Sequence, residues 1–307
     1  MKIIITGGAG FIGSHIAEFL SEYSDVTVFD DLSTGTKENI QDLPLKFIKG
    51  TIQDISLLKK EFKDASCVVH QAAFVSVPDS ILDPIKNHDV NATGTLNVLC
   101  AARDAGVEKV IFASSAAVYG NSPELPKKET MMPEPASPYA ASKIAGEHYC
   151  RVFTEQYGLK TLSLRYFNVY GPRQNLTSDY AAVVPIFINR MLLNKPLTIY
   201  GDGEQTRDFI FVRDVVSAIK AGIDHSISGT FNIGTGTRTS IHDLVDLLCN
   251  LLETKSSISY VSSRSGDIRD SFADIAMAKK VLGFKPAYSM QRGLEETIDW
   301  FQKRASD

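Results

Sequence analysis

The sequence predicts an α/β fold, a doubly wound parallel sheet with a smaller C-terminal lobe, on three observations. First, the apolar, β-branched run Lys2-Ile3-Ile4-Ile5-Thr6 leads straight into Gly7-Gly8-Ala9-Gly10-Phe11-Ile12-Gly13, and then into the helical spacing of Ile16, Phe19 and Leu20. That is a strand buried on both faces, a turn and a helix. Second, strand-sized apolar runs alternate with amphipathic stretches through the first half. Third, the texture changes after Arg165, where loops and short elements replace that alternation.

In chain order, Val26-Thr27-Val28-Phe29 reads as the second strand and ends in Asp30. Further strands fall at 46–49, 67–70, 110–113 and 161–164, with helices near 55–62, 85–105 and 137–157 between them. Such βα units wind with right-handed crossovers. Beyond Arg165, Gly171-Pro172-Arg173-Gln174-Asn175 and Thr177-Ser178-Asp179 read as loop, 184–194 as a helix, and Tyr200-Gly201-Asp202-Gly203 as a hairpin turn. Residues 230–233 read as a late strand that returns to the main sheet. The remainder is helical: Ser240 and Asp243 form a capping-box-like start, and Trp300 closes the apolar face of the last helix. The pattern divides the chain into a sheet domain, 1–168 rejoined by segments near 207–234, and a lobe built from 169–206 and 235–307. Ligands of open α/β sheets bind beyond the carboxyl ends of the strands. A site is therefore expected at the turns after Gly7, Gln71, Ala113 and Arg165, beneath the lobe.

The 307 residues suffice for a large core, and a net charge of -4 without a Lys/Arg block argues against nucleic-acid and membrane surfaces. The apolar runs are too short to span a bilayer, and the first strand starts with no leader ahead of it. Cys67, Cys100, Cys150 and Cys249 lie far apart in apolar segments, which predicts buried free thiols in a reducing cytoplasm. The six histidines form no HxH or HxxxH pair, and no metal is expected.

The glycines around Gly7 let the chain turn tightly and bring bare backbone to a pyrophosphate, which sits at the helix N-terminus where free N–H groups favour anions. Asp30 follows about 20 residues later, where a carboxylate accepts hydrogen bonds from the adenosine ribose. Asp30 and Asp31 repel a 2′-phosphate and only Lys37 is near enough to offset them, so the expected cofactor is NAD(H) rather than NADP. A second constellation follows Val110-Ile111-Phe112-Ala113, where Ser115 stands at a strand's end. Tyr139 and Lys143, four apart at a helix start, share one face. A phenol of pKa about 10 is a poor base at neutral pH. A neighbouring ammonium, with a positive nicotinamide, favours the phenolate.

Thr6-Gly7-Gly8-Ala9-Gly10-Phe11-Ile12-Gly13, the Ser115 strand end and the Tyr139/Lys143 pair together resemble the extended short-chain dehydrogenase/reductase family, with its Rossmann-type fold. The resemblance spans nearly the whole chain and is closest to the nucleotide-sugar 4-epimerases. In that family the C4 hydride of the sugar passes to NAD⁺ while the tyrosine removes the O4 proton. The 4-keto sugar then swings about its diphosphate and takes the hydride back on its other face. The resemblance implies Tyr139 as base, Lys143 as its electrostatic partner and ribose ligand, and Ser115 as the hydroxyl sharing the proton path. It also implies cofactor contacts from Gly7, Gly10, Phe11, Ile12, Gly13, Asp30 and Asp31. Thr51, Ile52, Gln71, Ala72, Ala73, Asn91 and Tyr166 are expected to complete that set. Asn91 would support the nicotinamide end, or serve only as a helix residue facing a neighbouring turn. A homodimer joined through the helices near 85–105 and 137–157 is implied too, although Leu96, Leu99, Ile144 and Tyr149 could equally be core.

Departures from related families narrow the reaction. The 4,6-dehydratases place an Asp-Glu pair directly after the hydroxyl residue, and the uronate decarboxylases a Glu at the second of those positions. Here both are alanine, Ala116 and Ala117, and elimination lacks its acid. Many relatives carry Asp after the third-strand glycine, whereas this chain has Gly50-Thr51-Ile52. For the substrate, Asn168 matches a sugar-nucleotide contact, Arg207 and Arg264 match the arginines that clamp the diphosphate, and Tyr200 matches an aromatic near the uracil. Val75, Ser115, Val184 and Asp267 are also expected at the substrate. Ser271 stands where epimerases restricted to glucose and galactose have a bulky tyrosine, and a serine leaves room for an N-acetyl group. The segments His70-Gln71-Ala72-Ala73-Phe74-Val75-Ser76-Val77-Pro78 and Tyr180-Ala181-Ala182-Val183-Val184-Pro185 look most like the N-acetylhexosamine epimerases. The expectation is interconversion of UDP-GlcNAc and UDP-GalNAc, with UDP-Glc/UDP-Gal as a second pair. A UDP-uronate 4-epimerase and a non-enzymatic NAD-binding sensor remain the alternatives.

Overall fold

The computed structural model describes residues 1–175, 182–262 and 268–306. It opens with β1 (Lys2–Thr6), α1 (Phe11–Ser21), β2 (Asp25–Asp30) and β3 (Lys46–Lys49). Next come α2 (Ile55–Glu61), β4 (Cys67–His70), the short helices α3 (Val77–Leu82) and α4 (Pro84–His88), a π-turn at Asp89–Thr93, and α5 (Gly94–Asp104). β5 (Lys109–Ser115), α6 (Pro138–Tyr157) and β6 (Lys160–Tyr166) close the first half. Then follow β7 (Asn168–Tyr170), α7 (Val183–Leu192), β8 (Leu197–Tyr200), β9 (Thr206–Arg207), β10 (Phe209–Phe211), α8 (Val212–Asp224) and β11 (Gly229–Ile233). The last elements are β12 (Thr239–Ser240), α9 (Ile241–Leu251), β13 (Ile258–Val261), β14 (Asp270–Ser271), α10 (Ala276–Leu282) and α11 (Met290–Ser306).

The main sheet has seven parallel strands in the order β11-β6-β5-β4-β1-β2-β3. Alternate side chains of each strand serve opposite faces. Ile3 and Ile5 of β1 join Ile16 and Leu20 of α1, Ile219 of α8 and Leu282 of α10 on one face. Ile4 joins Leu58 of α2, Val98 of α5 and Phe153 of α6 on the other. The strand order reverses between β1 and β4, and such a switch point leaves a crevice beyond the strand ends. The late strand over 230–233 does return: β11 pairs with β6 in parallel. A further core, with Phe187, Leu197, Leu244, Leu294 and Phe301, lies among the C-terminal elements. The capping box of Ser240 and Asp243 is formed.

Three expectations need correction. The helix expected over 85–105 is widened by the π-turn, an inserted residue that turns Asn91 inward to full burial. At 200–203 the chain does turn, through Gly201 and Gly203 at positive φ, but no hairpin forms. β8 pairs with β13, whereas β9 lies between β12 and β14. On α11 the buried face is Leu294, Thr297, Ile298 and Phe301; Trp300 is only half-buried, edge-on to Phe301 and beneath Arg304. All four cysteines are free, Cys67 and Cys150 buried and the other two half-buried. The loop expected at 177–179 lies outside the described residues. Among the described residues no helix is long and apolar enough to cross a membrane.

Candidate active site

The glycine turn is built by steric necessity. Gly7 has φ +70°, and a Cβ there would lie 2.5 Å from the Ala72 amide nitrogen, across the switch point. A Cβ on Gly13 would collide with the Gly7 carbonyl oxygen, whereas one on Gly10 would meet only that oxygen, at 3.3 Å. The turn is thus closed beneath and open above, where Gly10 precedes α1 without a side-chain cap. The N–H groups of its first turn are left for an anion. Asp30 is buried at the end of β2, its carboxylate accepting from Ala9 N at 2.9 Å and Leu32 N at 2.8 Å. Burial pushes its pKa up, and the two amide bonds oppose that shift. Both oxygens keep a lone pair for a ribose hydroxyl. The tight turn, open helix terminus and buried carboxylate fit an NAD molecule.

The other expected cofactor residues fall around the same crevice. Phe11 and Ile12, half-buried in the first turn of α1, also touch the C-terminal core. Asp31 is exposed, Thr51 is half-buried and accepts from Gln53 N, and Ile52 is buried against Gly94. Gln71 donates to the Tyr166 hydroxyl at 3.1 Å, and Ala72 and Ala73 follow it half-buried. Asn91 brackets Phe74, accepting from its N–H at 2.7 Å and donating to its carbonyl at 3.0 Å, and also donates to Ser142 Oγ at 3.1 Å. It therefore ties the segment after β4 to α6.

Strand register brings Ser115, Tyr139 and Lys143 together. Ser115 ends β5 directly beside Tyr166 of β6. Its Oγ accepts from Ala117 N at 3.2 Å and is hydrogen-bonded to Tyr139. Ser137 caps α6 and Pro138 opens it, so Tyr139 and Lys143 stand on its first turns facing β5. The Lys143 Nζ donates to the Ala113 carbonyl at 2.8 Å and lies 5.7 Å from the Tyr139 ring centroid. In the chain alone, burial raises the Tyr139 pKa, opposed by the Ser115 hydrogen bond, and burial lowers Lys143 to about 8. A nicotinamide bound in its positive form would add favourable charge beside the phenol.

A buried network missed in the sequence lies behind this trio. Arg165 grips Glu147 with two bonds of 2.8 and 2.7 Å, Ser114 donates to Glu147, and Arg165 reaches the Tyr119 hydroxyl at 2.9 Å. Tyr119 in turn donates to Asn232 at 2.6 Å. Glu147 stands four residues after Lys143, a spacing that could have been noticed, but nothing local signals its partners.

Of the expected substrate residues, Asn168 and Val75 are exposed, and Ser271 is buried. Ser271 pairs with Arg207 in the β14–β9 register, so these two distant segments meet. The Arg207 guanidinium donates to the carbonyls of Thr206 and Arg269 at 2.9 and 3.1 Å. Tyr200 is partly exposed beside Val261, whereas the Val184 side chain is spent on the C-terminal core. Arg264 and Asp267 lie outside the described residues, as do Tyr180 and Ala181.

A parallel sheet with a glycine turn at its switch point and a Ser–Tyr–Lys trio beside it is the arrangement of the extended short-chain dehydrogenases/reductases. The chain belongs to that class, within the NAD dependent epimerase/dehydratase family, whose family model matches residues 3–234. It is 40% identical over 303 residues to a putative UDP-glucose 4-epimerase of Methanocaldococcus jannaschii, covering 98% of each chain. A UDP-N-acetylglucosamine 4-epimerase from Methanobrevibacter ruminantium, solved with UDP-N-acetylmuramic acid, superposes with a TM-score of 0.96 at 40% identity, covering 99% of this chain and 98% of that one. A UDP-glucuronic acid 4-epimerase from Bacillus cereus, solved with UDP-glucuronic acid and NAD, superposes with a TM-score of 0.92 at 33% identity, covering 99% and 100%. NAD is the cofactor, and when bound it supplies a hydride acceptor and donor.

Proposed function

We propose that this UDP-sugar 4-epimerase interconverts UDP-GlcNAc and UDP-GalNAc, with UDP-Glc/UDP-Gal as a second pair. The observation that carries this reading is Ser271, a small side chain in register with Arg207, where a larger one would close the space beside the sugar. Tyr139 takes the O4 proton, Ser115 passes it along the hydrogen bond they share, and Lys143 balances the phenolate. Tyr139 returns the proton after the sugar has turned. Ala116 and Ala117 offer no acid at C5 or C6, so the sugar leaves without elimination. The sheet unit, 1–168 with 207–234, holds NAD, and 169–206 with 235–307 holds the UDP-sugar.

Incubating the purified chain with each UDP-sugar and no added NAD, with products read by proton NMR, tests this. GalNAc from UDP-GlcNAc is the expected result; glucose/galactose turnover alone sinks the N-acetyl assignment. The Bacillus cereus relative favours a second reading, a sugar with a C6 carboxylate, and the same assay with UDP-glucuronic acid decides between them. The chain acts as a homodimer: Ile81, Leu82 and Ile85 expose apolar surface, as do Tyr149 and Val152 of α6, whereas Leu99 is core and Leu96 and Ile144 are half-buried. A monomer in sedimentation would overturn that assignment.

A further inference from the structure

β9 and β10 are separated by a single residue, Asp208, which is completely buried. Its Oδ1 accepts from the N–H and the hydroxyl of Thr235, both at 2.7 Å. Its Oδ2 accepts from Gly236 N at 3.0 Å and Ala273 N at 3.1 Å. Its backbone carbonyl accepts from Asn168 N at 3.0 Å. A Cβ on Gly234 would come within 2.7 Å of Oδ2, so that glycine makes room for the carboxylate. One residue therefore touches three segments that carry expected substrate residues: Asn168 at the start of β7, Arg207 next door, and Ser271 two residues before Ala273.

The chemistry is specific to a carboxylate. Each oxygen takes two donors, so all four acceptor directions are used. An amide in its place would aim N–H₂ at two donors in either orientation, and the shape match would not rescue it. The four donors are neutral, so among the described residues the charge is held by oriented dipoles rather than by a cation. A buried carboxylate without a cation is costly unless its donors are fixed, and fixing them also fixes the segments that bear them.

We infer that Asp208 is a positioning residue for the sugar nucleotide, holding Asn168, Arg207 and Ser271 at set distances from one another across the pocket. The inference rests on the reading above that these three face the UDP-sugar. Asp208's bonds run to Thr235, Gly236, Ala273 and Asn168 and not to Ser115, Tyr139 or Lys143, so it governs binding and sugar choice rather than the proton step.

The test is Asp208→Asn in the full NAD-loaded chain, with kcat and KM measured for UDP-GlcNAc and UDP-Glc and bound NAD measured by absorbance. KM is expected to rise about tenfold or more with kcat within about threefold of wild type, the pattern of lost uniform binding. NAD content is expected to stay unchanged, while the preference between the two sugars shifts. A fall in kcat with KM unmoved overturns the inference, as does loss of NAD. Should Asp208→Asn fail to fold, Thr235→Val decides: it removes one donor of four, and a KM that does not rise at all overturns the inference. UDP binding by calorimetry separates the two failures. A wild type that binds no UDP refutes the reading of the site and the inference with it; a wild type that turns over UDP-sugar beside an unaltered Asp208→Asn refutes the inference alone.

Discussion

At Tyr139 two opposing effects meet: burial disfavours the phenolate, and positive charge is needed to restore it. Tyr139→Phe keeps the packing and removes the proton acceptor, so turnover should fall by roughly 10²–10⁴-fold with UDP-sugar binding retained. A variant with near-normal turnover would assign the base elsewhere. Ser271→Tyr should abolish N-acetyl turnover while sparing UDP-Gal, because the added ring fills space beside the sugar and leaves the proton site alone. Equal loss on both sugars would give Ser271 a different role. Tyr139, Lys143, Ser115 and the glycines were legible because each signal is local: a helical period, a strand end, a turn. Asp208 and Arg165 were not, since a buried charge is recognised by partners tens of residues away.

Among the elements, α6 does most to join stability to chemistry. Tyr139, Lys143 and Glu147 repeat at four-residue spacing on the face toward β5 and β6, and Glu147 anchors that face through Arg165. Glu147→Gln leaves a buried guanidinium without its counter-charge and should cost about 3–5 kcal/mol in urea unfolding. A loss below 1 kcal/mol would mean water already reaches the pair. The α1 turn is equally exacting. Gly13→Ala forces a methyl onto the Gly7 carbonyl, so bound NAD, read by absorbance, should weaken about tenfold or more with helix content unchanged. Strand positions were readable nearly to the residue for β3 and β4, because apolar runs flanked by polar residues mark both ends. The π-turn in the 85–105 helix and the pairing of β8, β9, β13 and β14 were not, because both depend on what packs against them.

For the molecule as a whole, two buried histidines contribute to the response to acid. His70 of β4 lies between Thr6 Oγ1 at 2.7 Å and Thr95 Oγ1 at 3.0 Å; burial, helped by Lys143, lowers its pKa to about 3. His15 of α1 donates through Nε2 to the Pro172 carbonyl at 2.9 Å, and burial, helped by Arg173, lowers its pKa to about 4. Both are neutral when folded and bind protons more strongly when unfolded. Their contribution is therefore complete above the unfolded value near 6.5 and is lost as pH falls from there towards 4 and 3. At pH 5 each should have cost about 2 kcal/mol. Thermal melts from pH 7 to 5 should show a falling Tm, with a shallower slope in His70→Gln; a flat profile would mean that neither ring is as buried as described.

The amino-acid order alone determined the sheet, its glycine turn, the NAD preference and the Ser–Tyr–Lys trio, because each rests on spacing within a single element or between an element and its turn. Tertiary structure alone decided that Ser271 lies beside Arg207, that Asp208 ties three segments together, and that Glu147 pairs with Arg165. Those facts depend on which strands pair and which donors reach a buried oxygen, and such choices are settled by packing the whole chain at once.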